Sequence, residues 1–266
     1  MNPLGLTSKF FIESAPEKWR DVRAAGFANA ELVFRPHVPA EEAVEEAALR
    51  RAHILGAGLA LGSAHLPYDG AADVSSLDEA NRAAGMALEK RVLDQIGAWE
   101  IPIAVLHASY EPVADADRAA RLDIARDAIA DLGEYGRRRG VTLAVEVLPR
   151  TCLGNCAREI LYLTGEGTLA KVNFDFNHLL KESHFGFIDA VMPHIVTTHL
   201  SDYDFVDEKH WMPGIGKIDW PAAVGRLLDA GYGGQLMFET YEQRAVPGMC
   251  CTPAMLAEQW ARLMGT

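Results

Sequence analysis

Short apolar or alternating runs give way repeatedly to longer stretches rich in Ala, Leu, Glu and Arg with helical periodicity. The short runs predict strands near residues 4–8, 29–34, 58–65, 102–108, 141–147, 171–177, 195–201 and 235–240. The longer stretches predict helices near 16–25, 40–56, 76–98, 115–139, 155–165, 186–193, 219–230 and 253–264. Proline marks several helix starts, in Ala15-Pro16-Glu17, Asp219-Trp220-Pro221 and Thr252-Pro253, and Gly26, Gly140 and Gly231 close helices. Eight strand–helix units, mostly roughly 25 to 40 residues apart from strand to strand, predict an α/β fold, the (β/α)8 or TIM barrel. A doubly wound open sheet is the alternative. That fold usually carries a Gly-rich phosphate turn after its first strand, and here "TSKFFIESAP" follows instead. Neither a Pro/Ser-rich linker nor a low-complexity segment interrupts residues 1–266, which are read as a single domain.

Composition narrows the field. Apolar content of 49% and charged content of 23% are ordinary for a globular protein. The apolar runs fall short of the ~18 residues of a membrane span. The N-terminal stretch is broken by Lys9 and Glu13 and lacks a signal-peptide pattern, so a cytoplasmic protein without a membrane partner is expected. A net charge of −12 argues against a nucleic-acid partner, which clustered cations would have to hold. The one basic run, Arg137-Arg138-Arg139, precedes Gly140 at a helix end, where cations complement the helix dipole. Four cysteines in the pairs Cys152/Cys156 and Cys250/Cys251 lack zinc-finger spacing and are read as free thiols.

The run "KVNFDFNHLL" at 171–180 alternates Val172, Phe174 and Phe176 as a buried strand does, yet holds Asp175 and is followed by His178. The pattern recurs. Strand 3 ends on His65, strand 4 on His107, strand 5 on Glu146, strand 7 on His199 and Asp202, and strand 8 on Glu239. A carboxylate among valines, as at Glu146, costs several kcal/mol to bury unpaired. In a barrel the C-terminal strand ends converge on one mouth. A bound cation is the simplest way to keep several carboxylates together there. Glu146, Asp175, His199 and Glu239, from four successive strands, form an oxygen-rich ligand set that suits Mn²⁺ or Mg²⁺, with Co²⁺, Fe²⁺ or Zn²⁺ as alternatives. Glu31 lies early in strand 2, which argues against its reaching the metal.

The sequence resembles the xylose isomerase-like TIM barrel superfamily, and within it the sugar isomerase/epimerase group with the ketose 3-epimerases and hydroxypyruvate isomerases. The resemblance is carried by "AVEVLPR", "DFNH", "HLSD", the H-x-x-P-G-x-G-x-I-D-W segment at 210–220 and the strand-8 "FET". It implies Glu146, Asp175, His199 and Glu239 as ligands of one divalent ion, with Glu146 and Glu239 also exchanging protons on opposite faces of a sugar-like substrate. It implies that His178 contacts a substrate oxygen and that Lys209 or His210 lies over the substrate. His65, His107 and Trp211 complete the expected substrate-binding set, Trp211 as a stacking face or a lid, and homo-oligomers are left open. Many ketose epimerases have a second Glu shortly after the strand-5 ligand; here Arg150, Thr151 and Cys152 stand there.

The expected chemistry is metal-assisted enolisation of a hydroxy-carbonyl compound, with carboxylates moving the proton. Epimerisation, isomerisation and dehydration of the inosose or dehydroshikimate type all use the same ligands. A zinc-dependent hydrolase is the sharpest rival: abasic-site endonucleases share the barrel and a trinuclear site, for which His65, His107, His178 and Glu208-Lys209-His210 are in place. A degenerate, non-catalytic barrel is the remaining alternative, opposed by the intact ligand set.

Overall fold

The computed structural model describes residues 2–265. Eight parallel strands follow one another around a closed barrel: β1 (Leu4–Thr7), β2 (Asn29–Val33), β3 (Ala60–His65), β4 (Ile103–Leu106), β5 (Thr142–Glu146), β6 (Lys171–Asp175), β7 (Ile195–Leu200) and β8 (Leu236–Phe238). Pairing of Leu4 with Leu236 and of Leu6 with Phe238 closes the ring, which excludes the open doubly wound sheet. The helices are α1 (Pro16–Ala24), α2 (Ala40–Gly56), α3 (Glu79–Ala98), α4 (Arg118–Arg137), α5 (Ala157–Thr164), α6 (His184–Val191), α7 (Trp220–Asp229) and α8 (Pro253–Met264). Short 3-10 turns at Ser8–Phe10 and Gly70–Ala72 were not expected from the pattern. Helix α6 starts two residues before its predicted position, because the Ser183 hydroxyl accepts from Gly186 N and caps it there. Among the described residues, no helix is long and apolar enough to cross a membrane.

The alternation within strands sorts two environments. On β6, Val172 and Phe174 face the helices; the Phe174 ring stacks on Phe187 of α6 at 4.7 Å, and beyond the strand Phe176 lies 5.3 Å from Trp220 of α7. Asn173 and Asp175 take the other face, toward the barrel axis, where both are fully buried. Phe27, Phe238 and Trp260 form an edge-to-face row between the barrel and α8. The apolar core is therefore the layer between sheet and helices, and much of the barrel interior is polar. Its polar lining includes Glu31, Ser63, Asn173, Thr197 and His199, all fully buried.

The β7–α7 connection is built around Asp202. Its Oδ1 accepts from Tyr203 N (2.9 Å) and Ile218 N (3.2 Å), and its Oδ2 from Gly214 N (2.8 Å) and Trp220 Nε1 (3.0 Å). Gly216 must lack a side chain, because a Cβ there would collide with Asp202 Oδ1 and Tyr203 O. The P-G-x-G-x-I-D-W segment is thus a wrapping for one buried carboxylate. A backbone bridge between Asp202 and Trp211 pinches off residues 203–210 as a loop beside the barrel mouth.

Candidate active site

Strands β5 to β8 deliver Glu146, Asp175, His199 and Glu239 to the C-terminal mouth, where one ligand atom from each lies within 4.8 Å of the others and all four residues are buried. His199 Nδ1 is 3.2 Å from Glu146 Oε1, 3.2 Å from Glu239 Oε2 and 3.8 Å from Asp175 Oδ2. Donor atoms around a Mg²⁺-sized ion, at ~2.1 Å from it, stand roughly 3 Å apart. Asp175 Oδ2 and Glu239 Oε2 are buried without a hydrogen-bond partner, and both face this centre. Burial, with the Glu239 and Glu146 carboxylates beside it, pushes Asp175 up to about 7 against the pull of His178. Negative charge is crowded here, and a divalent ion would offset it. The donor set fits such an ion.

Each carboxylate has its own surroundings. Burial would raise Glu146, but His199 and His107 hold it well below the usual carboxylate range. His65 Nε2 and His107 Nε2 lie 3.0 and 3.2 Å from Glu146 Oε2, and His65 Nδ1 donates to the Leu66 carbonyl. Burial pushes the His107 imidazole down to about 4. Burial opposes the ionised form of Glu239 as well, yet Lys9 holds it low: Lys9 Nζ donates to Glu239 Oε1 at 2.6 Å and lies 4.3 Å from the Tyr68 ring centre.

Of these side chains, Glu146, Glu239, His107 and Lys9 line a cleft of about 240 Å³ with Tyr68, Tyr110, Tyr241, Cys152 and the rim residues Glu111, Arg150 and Glu208. His178 Nδ1 donates to the Val147 carbonyl and lies 3.2 Å from Asp175 Oδ2, while its Nε2 is 3.1 Å from Glu208 Oε2. Burial would raise Glu208, but the bond with His178 brings it down to about 2. His210 points inward, with Nδ1 3.2 Å from the Glu239 carbonyl. Its backbone takes a left-handed φ of 52°, and Asn177 Oδ1 clips the loop by accepting from Lys209 N and His210 N.

Of the expected site residues, the structure brings together Glu146, Asp175, His199, Glu239, His65, His107, His178 and His210. Three expected substrate-binding residues do not line the cleft: His65 is fully buried behind Glu146, Lys209 Nζ is 3.9 Å from Asp204 on the loop, and Trp211 forms the backbone bridge. Asp202 holds its loop and takes no place in the cluster. Lys9 was missed. It interrupts the apolar run after β1 as Glu146 interrupts β5, and that was the available signal. Glu31 does not join the ligand set; its Oε1 is 3.0 Å from His199 Nε2, on the side of the ring opposite the cluster. Arg150 at the rim bonds Glu111 through Nε at 3.1 Å, Asp207 at 2.8 Å and Glu208 at 3.1 Å.

A closed (β/α)8 barrel with a carboxylate–imidazole cluster at the C-terminal mouth defines the class: a barrel whose buried donor set could hold a cation beside a small cleft. The profile of the family described as Xylose isomerase-like TIM barrel matches residues 19–263, and the chain belongs to that family. Among curated proteins, none matches the sequence significantly. Solved structures share the fold over full length at low identity. A D-psicose 3-epimerase determined in the presence of D-fructose superposes with a TM-score of 0.79 at 21% identity, covering 100% of both chains. The D-psicose 3-epimerase of Clostridium cellulolyticum H10, with D-tagatose, gives 0.78 at 18%, covering 99% of each. The 3-keto-D-glucoside 4-epimerase from E. coli gives 0.77 at 19%, covering 98% of this chain and 99% of that one.

Proposed function

We propose that the protein is a divalent-metal-dependent sugar isomerase or epimerase that moves a proton next to a carbonyl through an enediolate. The observation that carries this is the convergence of Glu146, Asp175, His199 and Glu239 on one buried point facing the cleft. A divalent ion held by these four supplies Lewis acidity to a carbonyl and its neighbouring hydroxyl. Glu146 and Glu239, each 3.2 Å from His199 Nδ1, are the groups to take and return the proton. Lys9 keeps Glu239 ionised and therefore ready to accept. His178 and His210 face the cleft beside them and are the donors for substrate oxygens. The ring faces of Tyr68 and Tyr241 supply apolar wall. Three rim carboxylates, Glu111, Asp207 and Glu208, surround Arg150. This excess of negative charge supports an uncharged polyhydroxy substrate and a Mn²⁺ or Mg²⁺ ion.

The test is solvent exchange in D₂O. Protein loaded with Mg²⁺ is incubated with ketoses, inososes and hydroxypyruvate and followed by NMR. Deuterium is expected to enter next to the carbonyl of one class, and Glu239→Gln is expected to abolish it. Metal-loaded protein that exchanges nothing would defeat the proposal.

A second reading has its own observation. His65 and His107 share Glu146 as a further ligand group, and His178, Glu208 and His210 form another, so three adjacent groups could hold ions. That favours zinc-dependent hydrolysis. The acidic rim and the net charge of −12 weigh against a polyanionic substrate. Hydrolysis would require zinc in more than one equivalent.

A further inference from the structure

Resting on the metal-centre reading above, we infer that Glu31 is a positioning residue: locked from below by Ser63 and Gln235, it holds the His199 ring with Nδ1 turned to the ligand cluster. Glu31 is fully buried near the middle of the barrel, where a carboxylate needs specific partners. It has two. Its Oε1 and Oε2 lie 3.0 and 3.2 Å from His199 Nε2, and Oε2 accepts from Ser63 Oγ at 2.8 Å. An ionised carboxylate only accepts, so Nε2 carries a proton, and the Nδ1 lone pair, which Asn173 Nδ2 faces at 3.0 Å, is the one a cation would take up. Nδ1 is also the nitrogen that faces Glu146, Asp175 and Glu239.

The layer beneath fixes the carboxylate in turn. Gln235 Nε2 donates to Ser63 Oγ (2.9 Å) and to Thr197 Oγ1 (3.1 Å), and Gln235 Oε1 accepts from Asn29 Nδ2 (3.1 Å). Two irregularities in the barrel aim the pair. Between β2 and β3 the register slips after Ala30, which pairs with Leu61, so that Glu31 pairs with Ser63 and Gly62 is skipped. A Cβ on Gly62 would collide with Gln235 Oε1, so the skipped residue is one whose missing side chain makes room for the network. Between β6 and β7 the register slips after Val172, skipping Val196 and pairing Asp175 with His199. Bulges re-aim side chains in this way beside active sites. Both members of the Glu31–His199 pair are thus set by a bulge, although they lie far apart in the chain.

The experiment uses the full chain and Mn²⁺ itself. Affinity is read by EPR titration for the wild type, Glu31→Ala, Glu31→Gln and Ser63→Ala, each checked by circular dichroism. Removing an outer carboxylate from a metal-bound histidine typically weakens the metal about 10- to 100-fold, and that loss is expected for Glu31→Ala. Glu31→Gln keeps an acceptor oxygen for Nε2–H and is expected to recover most of it. Ser63→Ala is expected to weaken Mn²⁺ a few-fold and remains informative should Glu31→Ala fail to fold. In ¹⁵N-histidine spectra of the Mg²⁺-loaded protein, His199 is expected to show a protonated Nε2 in the wild type and a mixed signature in Glu31→Ala. Folded Glu31→Ala and Ser63→Ala with wild-type Mn²⁺ affinity would overturn the role of Glu31 alone. A wild type that binds no Mn²⁺ would overturn the metal centre, and this role with it.

Discussion

Replacing Lys9 by Met separates the charge balance of the candidate metal site from its chemistry. Lys9 Nζ sits 2.6 Å from Glu239 Oε1, with the lysine side chain 11% exposed and the glutamate 1%. At that spacing and an effective dielectric near 20, the attraction is about 6 kcal/mol before desolvation is subtracted. Removing one partner from a buried pair typically costs about 3–5 kcal/mol. For a domain near this size, about 2–4 °C of melting temperature goes with each kcal/mol. Metal-free Lys9→Met is therefore expected to melt roughly 6–20 °C below the wild type. Burial alone would lower the Lys9 pKa, but Glu239 outweighs it and raises it well above the ordinary 10.5. The stabilisation is accordingly complete below that ordinary value, including pH 7, and is lost only as pH rises through the raised one. A divalent ion gives Glu239 a second counter-charge, so Mn²⁺ is expected to narrow the gap. The assay is differential scanning calorimetry at pH 7 in EDTA and in Mn²⁺. A metal-free variant that melts with the wild type, or an equal metal shift in both proteins, would refute the reasoning.

Asp202→Ala leaves three backbone donors and the Trp220 indole without their buried acceptor; a loss of at least about 3 kcal/mol in urea denaturation is expected. Glu89 on α3 is fully buried with both oxygens unpartnered, and burial, with Asp69 nearby, raises its pKa well above 4.5. Its folded form therefore holds a proton that the unfolded chain releases, and stability falls as pH rises from about 4.5 through the raised value. Glu89→Met is expected to remove that slope and to stabilise the protein by about 1–3 kcal/mol at pH 8, with less gain at pH 4; equal gains at both would contradict the assignment. Burial pushes the Cys152 thiol up to about 11, whereas Cys250 is exposed. Iodoacetamide at pH 8 is expected to modify Cys250 well before Cys152, as peptide mass mapping would read.

The barrel was legible because its signal is local. Strand alternation, helical periodicity, Pro and Gly punctuation and even spacing each act over a few residues, and the eight units appear in the predicted order. The four-residue cluster was legible for a related reason, since a carboxylate inside an apolar strand, as at Glu146 or Asp175, has few bland explanations. The supporting network was not. Ser63, Thr197 and Gln235 are unremarkable polar residues until two bulges turn Ser63 and Thr197 toward Gln235 on one axis. Lys9 and Glu239 meet across 230 positions, and nothing local announces such a contact. Asp202 carried the same strand-end signal as His199, yet its four donors come from the β7–α7 loop and the first residue of α7, an arrangement only the fold reveals. Helix α6 was displaced for a plain reason, because Ser183 as a cap outweighs the apolar pattern that follows it.

Metal stoichiometry bears most directly on the proposed enzyme. Metal-stripped protein equilibrated with Mn²⁺ or with Zn²⁺, desalted, and analysed by native mass spectrometry should retain one ion per chain, lost in Asp175→Asn. Three retained zinc ions, lost together in Glu146→Gln and His178→Ala, would contradict the single-ion proton-transfer centre in favour of hydrolysis. Retention of none would remove the metal from the mechanism altogether.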